Sequence, residues 1–311
     1  MDKKIRTIFM GTPEFAVLGL KALIEAEEFE VVAAFTQPDK PFGRKQILTP
    51  PPIKVLASEH GIPVLQPEKI KPETNSIAAL KPDLIVVIAY GKIIPQSILD
   101  IPAYGCINVH ASLLPKYRGA SCLQAPILNG DSETGVTIMR MDAGLDTGPI
   151  LKQARIPLNG RETLEEVHDR LSSLGAEILI PTLLGYCQGD IKPQTQDDSQ
   201  ATYIGLMHKE DGYLNPKKDA IVLERQVRAL YPWPGTYLEL ESGEKIKVLK
   251  CEVLNENYGK IGEFTERNGA LILNCGQNAL HILKLQRENR NALDASDFLK
   301  GSKDILGQTA K

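Results

Sequence analysis

The stretch Leu84-Ile85-Val86-Val87-Ile88 is continuously apolar, and it indicates the class of fold. A strand at the centre of a parallel sheet is covered on both faces, so it has an apolar run instead of an alternation of apolar and polar residues. Similar strand-like runs occur at Ile5–Met10, Val31–Thr36 and Cys106–His110. We therefore expect Leu84–Ile88 to be a central strand of a parallel sheet.

Segments with helical periodicity separate these runs up to about residue 185. Helices are predicted over residues 14–26, 53–60, 73–80 and 164–186, and further strands at Val64–Leu65 and Gly135–Met141. Alternating strands and helices predict a doubly wound, Rossmann-like sheet. Such sheets bind ligands beyond the carboxyl ends of their strands, which is where Tyr90-Gly91, Asn108 and His110 would lie.

The pattern changes after residue 186. Residues 187–204 are polar and predict a linker, and Ala220–Leu230 predicts a helix. Short strands with Gly or Asn turns are then predicted at Thr236–Leu240, Lys245–Leu254, Gly262–Thr265, Ala270–Cys275 and Ala279–Gln286. Five such strands fit a small OB-like barrel. The sequence thus predicts an α/β catalytic domain over 1–186, a linker over 187–204 and an OB-like domain over 205–311.

The bulk composition is that of a globular protein. The 311 residues suffice for two domains, and the 42% hydrophobic and 24% charged content is ordinary for a water-soluble chain. The net charge of −3 argues against a protein that coats nucleic acid generally. Any contact with nucleic acid would therefore come from local patches.

The five cysteines contain no Cys-x-x-Cys pair, which favours reduced thiols over disulfides or a zinc site, and we predict no metal. The N-terminal apolar run Ile8-Phe9-Met10 is too short for a signal peptide. The longest apolar stretch, Leu84 to Tyr90, is too short to span a bilayer. We expect a cytoplasmic monomer that does not associate with membranes.

The run Cys106-Ile107-Asn108-Val109-His110-Ala111-Ser112-Leu113-Leu114-Pro115 carries candidate catalytic residues. Asn108 and His110 are two apart on a strand, so their side chains point to the same side. An Asp on the glycine-bounded loop 142–149 is a plausible third member. An Asn, His and Asp set without a Ser or Cys nucleophile suggests that the site polarises a carbonyl and manages protons while one bound molecule attacks another.

Each of these residues also has a structural interpretation. His110 could be a satisfied structural histidine, Asn108 could cap a turn, and Asp146 could form an Asx-turn. Their joint occurrence with Ser-Leu-Leu-Pro favours catalysis. Gly11-Thr12-Pro13 lacks the G-x-G-x-x-G fingerprint, and Pro13 removes an amide that a pyrophosphate would use, so NAD binding is not predicted.

The chain resembles the methionyl-tRNA formyltransferase family of folate-dependent formyltransferases over nearly its whole length. The motifs that carry the resemblance are Phe9–Val17, Gln37–Arg44, Tyr90-Gly91, Asn108–Pro115, Arg118-Gly119, Asp142–Pro149, Pro232–Gly235 and Gln286–Gly301. The block beginning at Asn108 is shared by several folate-dependent formyltransferases and by formyl-folate hydrolases. The loop at 37–49 and the second domain distinguish the methionyl-tRNA formyltransferases from these other enzymes, so they make the resemblance more specific.

The resemblance implies transfer of a formyl group from 10-formyltetrahydrofolate to the α-amino group of methionine on initiator tRNA, for translation initiation. It implies Asn108, His110 and Asp146 as the catalytic set. The implied folate-binding residues are Ser112, Leu113, Leu114, Pro115, Tyr90, Gly91, Ile94 and Asp142. The implied tRNA contacts are Lys40, Arg44 and Lys45, with Arg44 as the leading contact to the end of the acceptor stem.

The implied reaction is chemically consistent with these residues. The attacking amine must be uncharged, and a free α-amino group has a pKa of roughly 7.7–8.0, so a strong base is not required. The anionic oxygen formed from the formyl carbonyl could accept hydrogen bonds from Asn108 and His110. Asp146 either holds His110 in one tautomer and favours its protonated form, or relays the ammonium proton towards the leaving nitrogen. The sequence leaves both roles open.

Two places depart from the family pattern. Leu206-Met207-His208 occupies a region where the family usually has a lysine, and Pro216 stands where an aromatic residue is expected. Cys122 replaces a typical proline, and Pro126 falls inside a predicted helix, which it should kink or shorten. These departures concern one linker contact to tRNA and the fit of the pocket for methionine.

Three alternative functions share parts of this pattern. An amino-sugar nucleotide formyltransferase would have the same Asn, His and Asp set and a barrel-like tail. A formyl-folate hydrolase would share the folate motif, and a non-catalytic tRNA-binding module would keep only the fold. The basic loop at Lys40–Lys45 favours a tRNA substrate.

Overall fold

A computed structural model describes residues 3–43 and 46–311 of the chain. The chain divides into two compact units. The first comprises Met1–Cys122, Glu133–Pro157 and Val167–Ile204, and the second comprises Leu123–Ser132, Leu158–Glu166 and Gly205–Lys311. In the described ranges, we find no helix with the length and apolar character needed to cross a membrane.

The first unit is built on a seven-stranded sheet with the order β5-β2-β1-β6-β7-β8-β9. Its strands are β1 (Ile5–Gly11), β2 (Phe29–Phe35), β5 (Val64–Leu65), β6 (Leu84–Ile88), β7 (Cys106–His110), β8 (Glu133–Arg140) and β9 (Ile150–Pro157). The strands from β5 to β7 pair in parallel. All five residues of β6 are buried. The prediction of a central parallel strand at Leu84–Ile88 is confirmed.

The sheet is not parallel throughout, because its last two strands add an antiparallel edge. Strand β8 pairs with β7 and β9 in antiparallel orientation. Only a short loop joins β8 to β9, whereas a parallel connection needs a crossover of a dozen or more residues. Strand β9 was not predicted from the sequence, so the antiparallel edge was missed with it.

The described chain contains eight helices. Those that were predicted from the sequence begin and end close to their predicted positions. The eight helices are α1 (Val17–Glu25), α2 (Pro52–Glu59), α3 (Thr74–Ala79), α4 (Gln96–Leu99), α5 (Ala125–Asn129), α6 (Leu164–Gln188), α7 (Ala220–Leu230) and α8 (Ala295–Gly301). A 3-10 turn over Glu14–Ala16 precedes α1, so the predicted helix over 14–26 is divided into two parts.

Pro126 does not kink a helix. It occupies the first turn of α5, where the missing proline N–H costs little, and the helix starts only at Ala125. Cys122 therefore lies before α5 instead of in its first turn. Helix α5 is short, with five residues.

The basic loop predicted at 37–52 contains a small hairpin of β3 (Lys40–Phe42) and β4 (Ile47–Thr49). Strands of three residues carry too little periodic pattern to be recognised from sequence. Arg44 and Lys45, two of the expected tRNA contacts, lie outside the described residues.

The second unit contains an antiparallel sheet with the order β10-β11-β14-β13-β12, and β15 pairs with β14. The strands are β10 (Thr236–Glu239), β11 (Lys245–Leu254), β12 (Phe264–Arg267), β13 (Ala270–Asn274), β14 (Ala279–Arg287) and β15 (Leu293–Asp294). Residues of β11, β13 and β14 form its core with Leu223 and Val227 of α7. The five predicted strands are present, and closure into an OB-type barrel stays a prediction.

Candidate active site

Strand β7 carries two of the three expected catalytic side chains. It lies between β6 and β8, with Asn108 beside Val87 and Met139, and His110 beside Thr137. Asn108 is half-buried and His110 is 6% exposed. Because strand side chains alternate, the two point to one face of the sheet.

The His110 ring has a polar group on each side. Its Nε2 donates a hydrogen bond of 3.0 Å to the Tyr117 carbonyl oxygen, and its Nδ1 lies 3.7 Å from Asp146 Oδ2. The second distance is too long for a hydrogen bond but suits an ion pair with a protonated ring. Burial lowers the pKa of His110, but contact with Cys122, the Asp146 carboxylate and the Tyr117 carbonyl outweighs it and raises that pKa to about 9. The raised pKa favours the protonated form of the ring.

The raised pKa makes folding stability depend on pH. His110 binds its proton more tightly in the folded chain, so its contribution is complete below pH 6.5 and is lost as the pH rises towards about 9. We expect the free energy of unfolding to fall by about 1–3 kcal/mol across this window. Denaturant titrations at several pH values measure it. His110→Gln should reduce the change of the free energy of unfolding with pH. An unchanged pH dependence in that variant would show that other groups cause it.

Asp146 is held in place by the segment that follows Tyr117. Its Oδ2 accepts a hydrogen bond of 2.8 Å from the Gly119 amide, and its own backbone is left-handed with φ +53°. Gly119 has φ +115°, and a Cβ at this position would lie 2.3 Å from the Ile204 carbonyl oxygen. A glycine is therefore required at the position whose amide binds the Asp146 carboxylate.

The structural interpretations of Asn108 and Asp146 do not match these contacts. Within residues 3–43 and 46–311, the Asn108 side-chain amide has no hydrogen-bond partner, so it does not cap a turn. The Asx-turn of this loop belongs to Asp142, whose Oδ1 accepts from the Gly144 amide at 3.1 Å and from Thr147 Oγ1 at 2.6 Å. The Asn108 amide is thus available to a bound molecule.

The block Ser112–Pro115 is tied to the neighbouring strands. Ser112 Oγ donates to the Lys116 carbonyl oxygen at 2.6 Å, and the Leu114 amide donates to Thr137 Oγ1 at 3.1 Å. The Leu114 carbonyl oxygen accepts from Gln153 Nε2 at 2.8 Å. Ser112 and Leu114 are buried, while Leu113 and Pro115 are half-buried. The block therefore continues β7 and is hydrogen-bonded to side chains of β8 and β9.

The segment after β6 offers its backbone more than its side chains. Tyr90 is 2% exposed and Ile94 is 6% exposed, and both belong to the core of the first unit. Burial, with a smaller effect of Glu73, raises the pKa of Tyr90 to about 12. Gln37 Nε2 donates to the carbonyl oxygens of Tyr90 and Gly91, each at 3.2 Å. Gly91 is exposed and has φ +76°.

Several residues around this site were not predicted from the sequence. Arg118 is 1% exposed and Gln196 is 8% exposed, and the two are hydrogen-bonded at 2.8 Å. Gln37 holds the segment after β6 and also accepts from Lys40 Nζ at 2.9 Å. The signal in the sequence was the position of Arg118 and Gln37 in motifs that carry the family resemblance. The exposed Lys40 is the one expected tRNA contact that falls within the described chain.

Comparison with known proteins gives matches along the chain. The family model described as "Formyl transferase" matches residues 3–183, and the one described as "Formyl transferase, C-terminal domain" matches residues 206–303. A relative from Citrifermentans bemidjiense named methionyl-tRNA formyltransferase is 49% identical over 303 residues, which cover 96% of this chain and 94% of the relative. One of the same name from Pseudomonas fluorescens strain SBW25 is 46% identical over 321 residues and covers both chains completely.

Solved structures share the fold at lower identity. WlaRD, described as a sugar 3N-formyl transferase in the presence of dTDP and 5-N-formyl-THF, has a TM-score of 0.67 at 21% identity and covers 93% of this chain and 100% of its own. HypX from Aquifex aeolicus in complex with tetrahydrofolic acid has a TM-score of 0.63 at 19% identity and covers 96% of this chain and 47% of its own. At these identities the likeness establishes the fold.

Proposed function

The chain belongs to the methionyl-tRNA formyltransferase family, and from that membership we propose that it transfers the formyl group of 10-formyltetrahydrofolate to the α-amino group of methionine on initiator tRNA. This reaction serves the initiation of translation. The observation that carries the proposal is the meeting of Asn108, His110 and Asp146 at the end of β7, in a chain that matches its relatives over its full length.

We propose that Asn108 and His110 stabilise the oxygen of the formyl group as it becomes negative. The uncharged amine of methionine attacks the formyl carbon, and the C=O bond opens to an anionic tetrahedral oxygen. When this species collapses, the C=O bond re-forms and the bond from the carbon to the folate nitrogen breaks. The proton that the methionine nitrogen loses goes to the leaving folate nitrogen. The Asn108 amide is a donor without a partner in the described chain, and the raised pKa of His110 favours the charged form of its ring. A hydrogen-bond donor that is already in position before the reaction does not have to reorganise while the charge develops.

The sequence left two roles open for Asp146. The geometry supports the electrostatic one, in which Asp146 favours the protonated His110. Its carboxylate is fixed by the Gly119 amide and lies 3.7 Å from His110 Nδ1, so it favours the protonated ring. We therefore assign Asp146 to holding the charge of His110.

We propose that the folate co-substrate lies against the block after β7, the segment after β6 and the loop after β8. The residues involved are Ser112, Leu113, Leu114, Pro115, Tyr90, Gly91, Ile94 and Asp142. Tyr90 and Ile94 are buried, and the Asp142 carboxylate is engaged within its own loop. Their contribution is accordingly to the shape of the site and to backbone hydrogen bonds.

We further propose residues 1–186 as the catalytic domain, 187–204 as the connecting segment and 205–311 as the domain that binds tRNA. The enzyme would act as a monomer in the cytoplasm, where its tRNA substrate is charged. Size-exclusion chromatography with light scattering tests the monomer, for which it should give the mass of one 34.2 kDa chain.

One assay separates this function from the alternatives. The purified chain is incubated with 10-formyltetrahydrofolate and with charged initiator tRNA, charged elongator methionine tRNA or an amino-sugar nucleotide in separate reactions. We expect formyl incorporation into the initiator tRNA and at least tenfold less, as a rough estimate, into the elongator. Incorporation into the sugar alone would overturn the proposal, and incorporation into none would favour a binding module.

Arg44→Ala should weaken discrimination between the two methionine tRNAs. The guanidinium of Arg44 suits phosphate or base-edge recognition, and loss of one such contact costs about 1–3 kcal/mol. The ratio of kcat/KM for initiator and elongator tRNA should therefore fall by about tenfold. Arg161→Ala removes an exposed arginine outside the loop and serves as the matched control. An unchanged ratio in Arg44→Ala would show that the loop does not select the tRNA.

A further inference from the structure

Residues 194–204, in the segment predicted to be a linker, are bound to the first unit at both ends. Gln194 exchanges two backbone hydrogen bonds of 2.7 and 2.8 Å with Ile150, where β9 begins. At the other end, the Arg118 amide donates to the Thr202 carbonyl oxygen, and the Ile204 amide donates to the Arg118 carbonyl oxygen, both at 2.9 Å. The segment therefore packs against the loop after β7 and against the loop between β8 and β9.

Gln196, within this segment, contacts the loop that carries Asp146. Its Nε2 donates to the Asp146 carbonyl oxygen at 2.9 Å and to the Gly148 carbonyl oxygen at 2.7 Å. Both hydrogens of one side-chain amide thus bind backbone on either side of Thr147. This contact holds the backbone at the residue with φ +53°, a conformation that a non-glycine residue rarely keeps unless its surroundings fix it.

Arg118 orients the Gln196 amide. Its Nε and Nη2 donate to Gln196 Oε1 at 3.2 and 2.8 Å, so the amide oxygen faces the guanidinium and the amide nitrogen faces the loop. Arg118 is itself held by Asp198 Oδ1 at 2.7 Å and by the Tyr203 hydroxyl at 3.1 Å. Gly119, the next residue, donates to the Asp146 carboxylate. The Gly119 amide therefore binds the carboxylate of Asp146, and Gln196, oriented by Arg118, binds its backbone carbonyl.

We propose that Gln196 is a positioning residue for formyl transfer: its amide nitrogen fixes the backbone of the Asp146 loop so that the Asp146 carboxylate stays beside His110. The inference rests on the proposed function. It assigns a role in the reaction to a residue of the polar segment outside the Asn-His-Ser-Leu-Leu-Pro motif. Gln196 acts through Asp146 and does not itself contact the reacting groups.

The test uses two substitutions that separate the two ends of the Gln196 amide. Gln196→Met has a similar volume and removes both its acceptor and its donors without a change of charge. Gln196→Glu keeps an acceptor for Arg118 but cannot donate to the carbonyl oxygens of Asp146 and Gly148. Gln194→Met is the matched control, because its side chain is exposed in the same segment.

The first readout is kinetic. It consists of the single-turnover rate of formyl transfer and the steady-state kcat and KM. We expect both Gln196 variants to lose about 10- to 100-fold in kcat, since a displacement of about 1 Å at a catalytic group has this effect, while KM for folate and tRNA stays within about twofold. Wild-type activity in Gln196→Glu would show that Gln196 only anchors Arg118, and would overturn the proposal.

The second readout does not depend on activity. The pKa of His110 is followed by NMR of histidine-labelled chain, with its signal assigned among the five histidines by the His110→Gln variant. The groups that face the ring are Asp146, Cys122 and the Tyr117 carbonyl. If Gln196 holds the Asp146 carboxylate beside the ring, Gln196→Met should lower the pKa of His110 by about one unit. An unchanged pKa in the folded variant would overturn the proposal.

The two readouts also keep this proposal distinct from the proposed function. A wild-type chain that transfers no formyl group would contradict the function, and the NMR titration would still decide whether Gln196 positions Asp146. If Gln196→Met does not fold, the kcat of Gln196→Glu decides the matter in its place. Gln194→Met should match the wild type in both readouts.

Discussion

His110→Ala should lower the rate of formyl transfer by about a thousandfold or more, with little loss of tRNA affinity. The ring is buried at the end of β7, and its raised pKa favours the charged form, so alanine removes both a donor and a positive charge from the place where negative charge develops. It also leaves the Asp146 carboxylate without the ring that lies 3.7 Å from it. Single-turnover assays measure the rate, and filter binding of methionyl-tRNA without folate measures the affinity.

A suitable control for this variant is His60→Ala. His60 is exposed at the end of α2, so its loss changes the histidine content without touching β7. We expect wild-type rates from it. Retention of more than about a tenth of the activity by His110→Ala would contradict the role assigned to the ring, because oxyanion donors and general acids are typically worth at least about a hundredfold.

Asn108→Ala should lower kcat by about 10²–10³, the usual effect of removing one oxyanion donor. The reason is that the Asn108 amide has no other partner in the part of the chain that the structure describes. Asn108→Asp should be worse, since a carboxylate of the same shape would repel the developing negative charge. Rapid-quench measurement of a single turnover at saturating folate and tRNA gives these rates directly.

The exposed Asn75 on α3 provides the matched control, and Asn75→Ala should behave as the wild type. The order of the two Asn108 variants is the informative part of this experiment. If Asn108→Asp were as active as Asn108→Ala or more so, the amide would not act as a donor to the formyl oxygen, and a base at that position would have to be considered.

Composition and periodicity located the centre of the first sheet but not its edge. The run Leu84–Ile88 is apolar because both faces of a central parallel strand are covered. The direction of β8 and the presence of β9 depend on how the chain returns after Arg140, which no local pattern encodes. The hairpin of β3 and β4 is similarly hidden, because three residues carry no measurable period.

The site was predictable where its residues are neighbours in sequence. Asn108 and His110 follow from the period of one strand. Asp146 was identified through a family motif, since the contact with His110 joins residues far apart in the chain. Gln196 was missed because residues 187–204 are polar and predict a solvated linker. Instead, the polar side chain is buried at 8% exposure and satisfied by Arg118 and two carbonyl oxygens.

The most direct test of the catalytic assignment is a crystal structure of the chain with a formyl-folate that cannot transfer its formyl group. We expect the formyl oxygen within about 3.5 Å of Asn108 Nδ2 and of a His110 ring nitrogen, with Asp146 still beside the ring. A formyl group bound more than about 8 Å from both side chains, with the same loops in place, would contradict the catalytic role proposed for Asn108, His110 and Asp146.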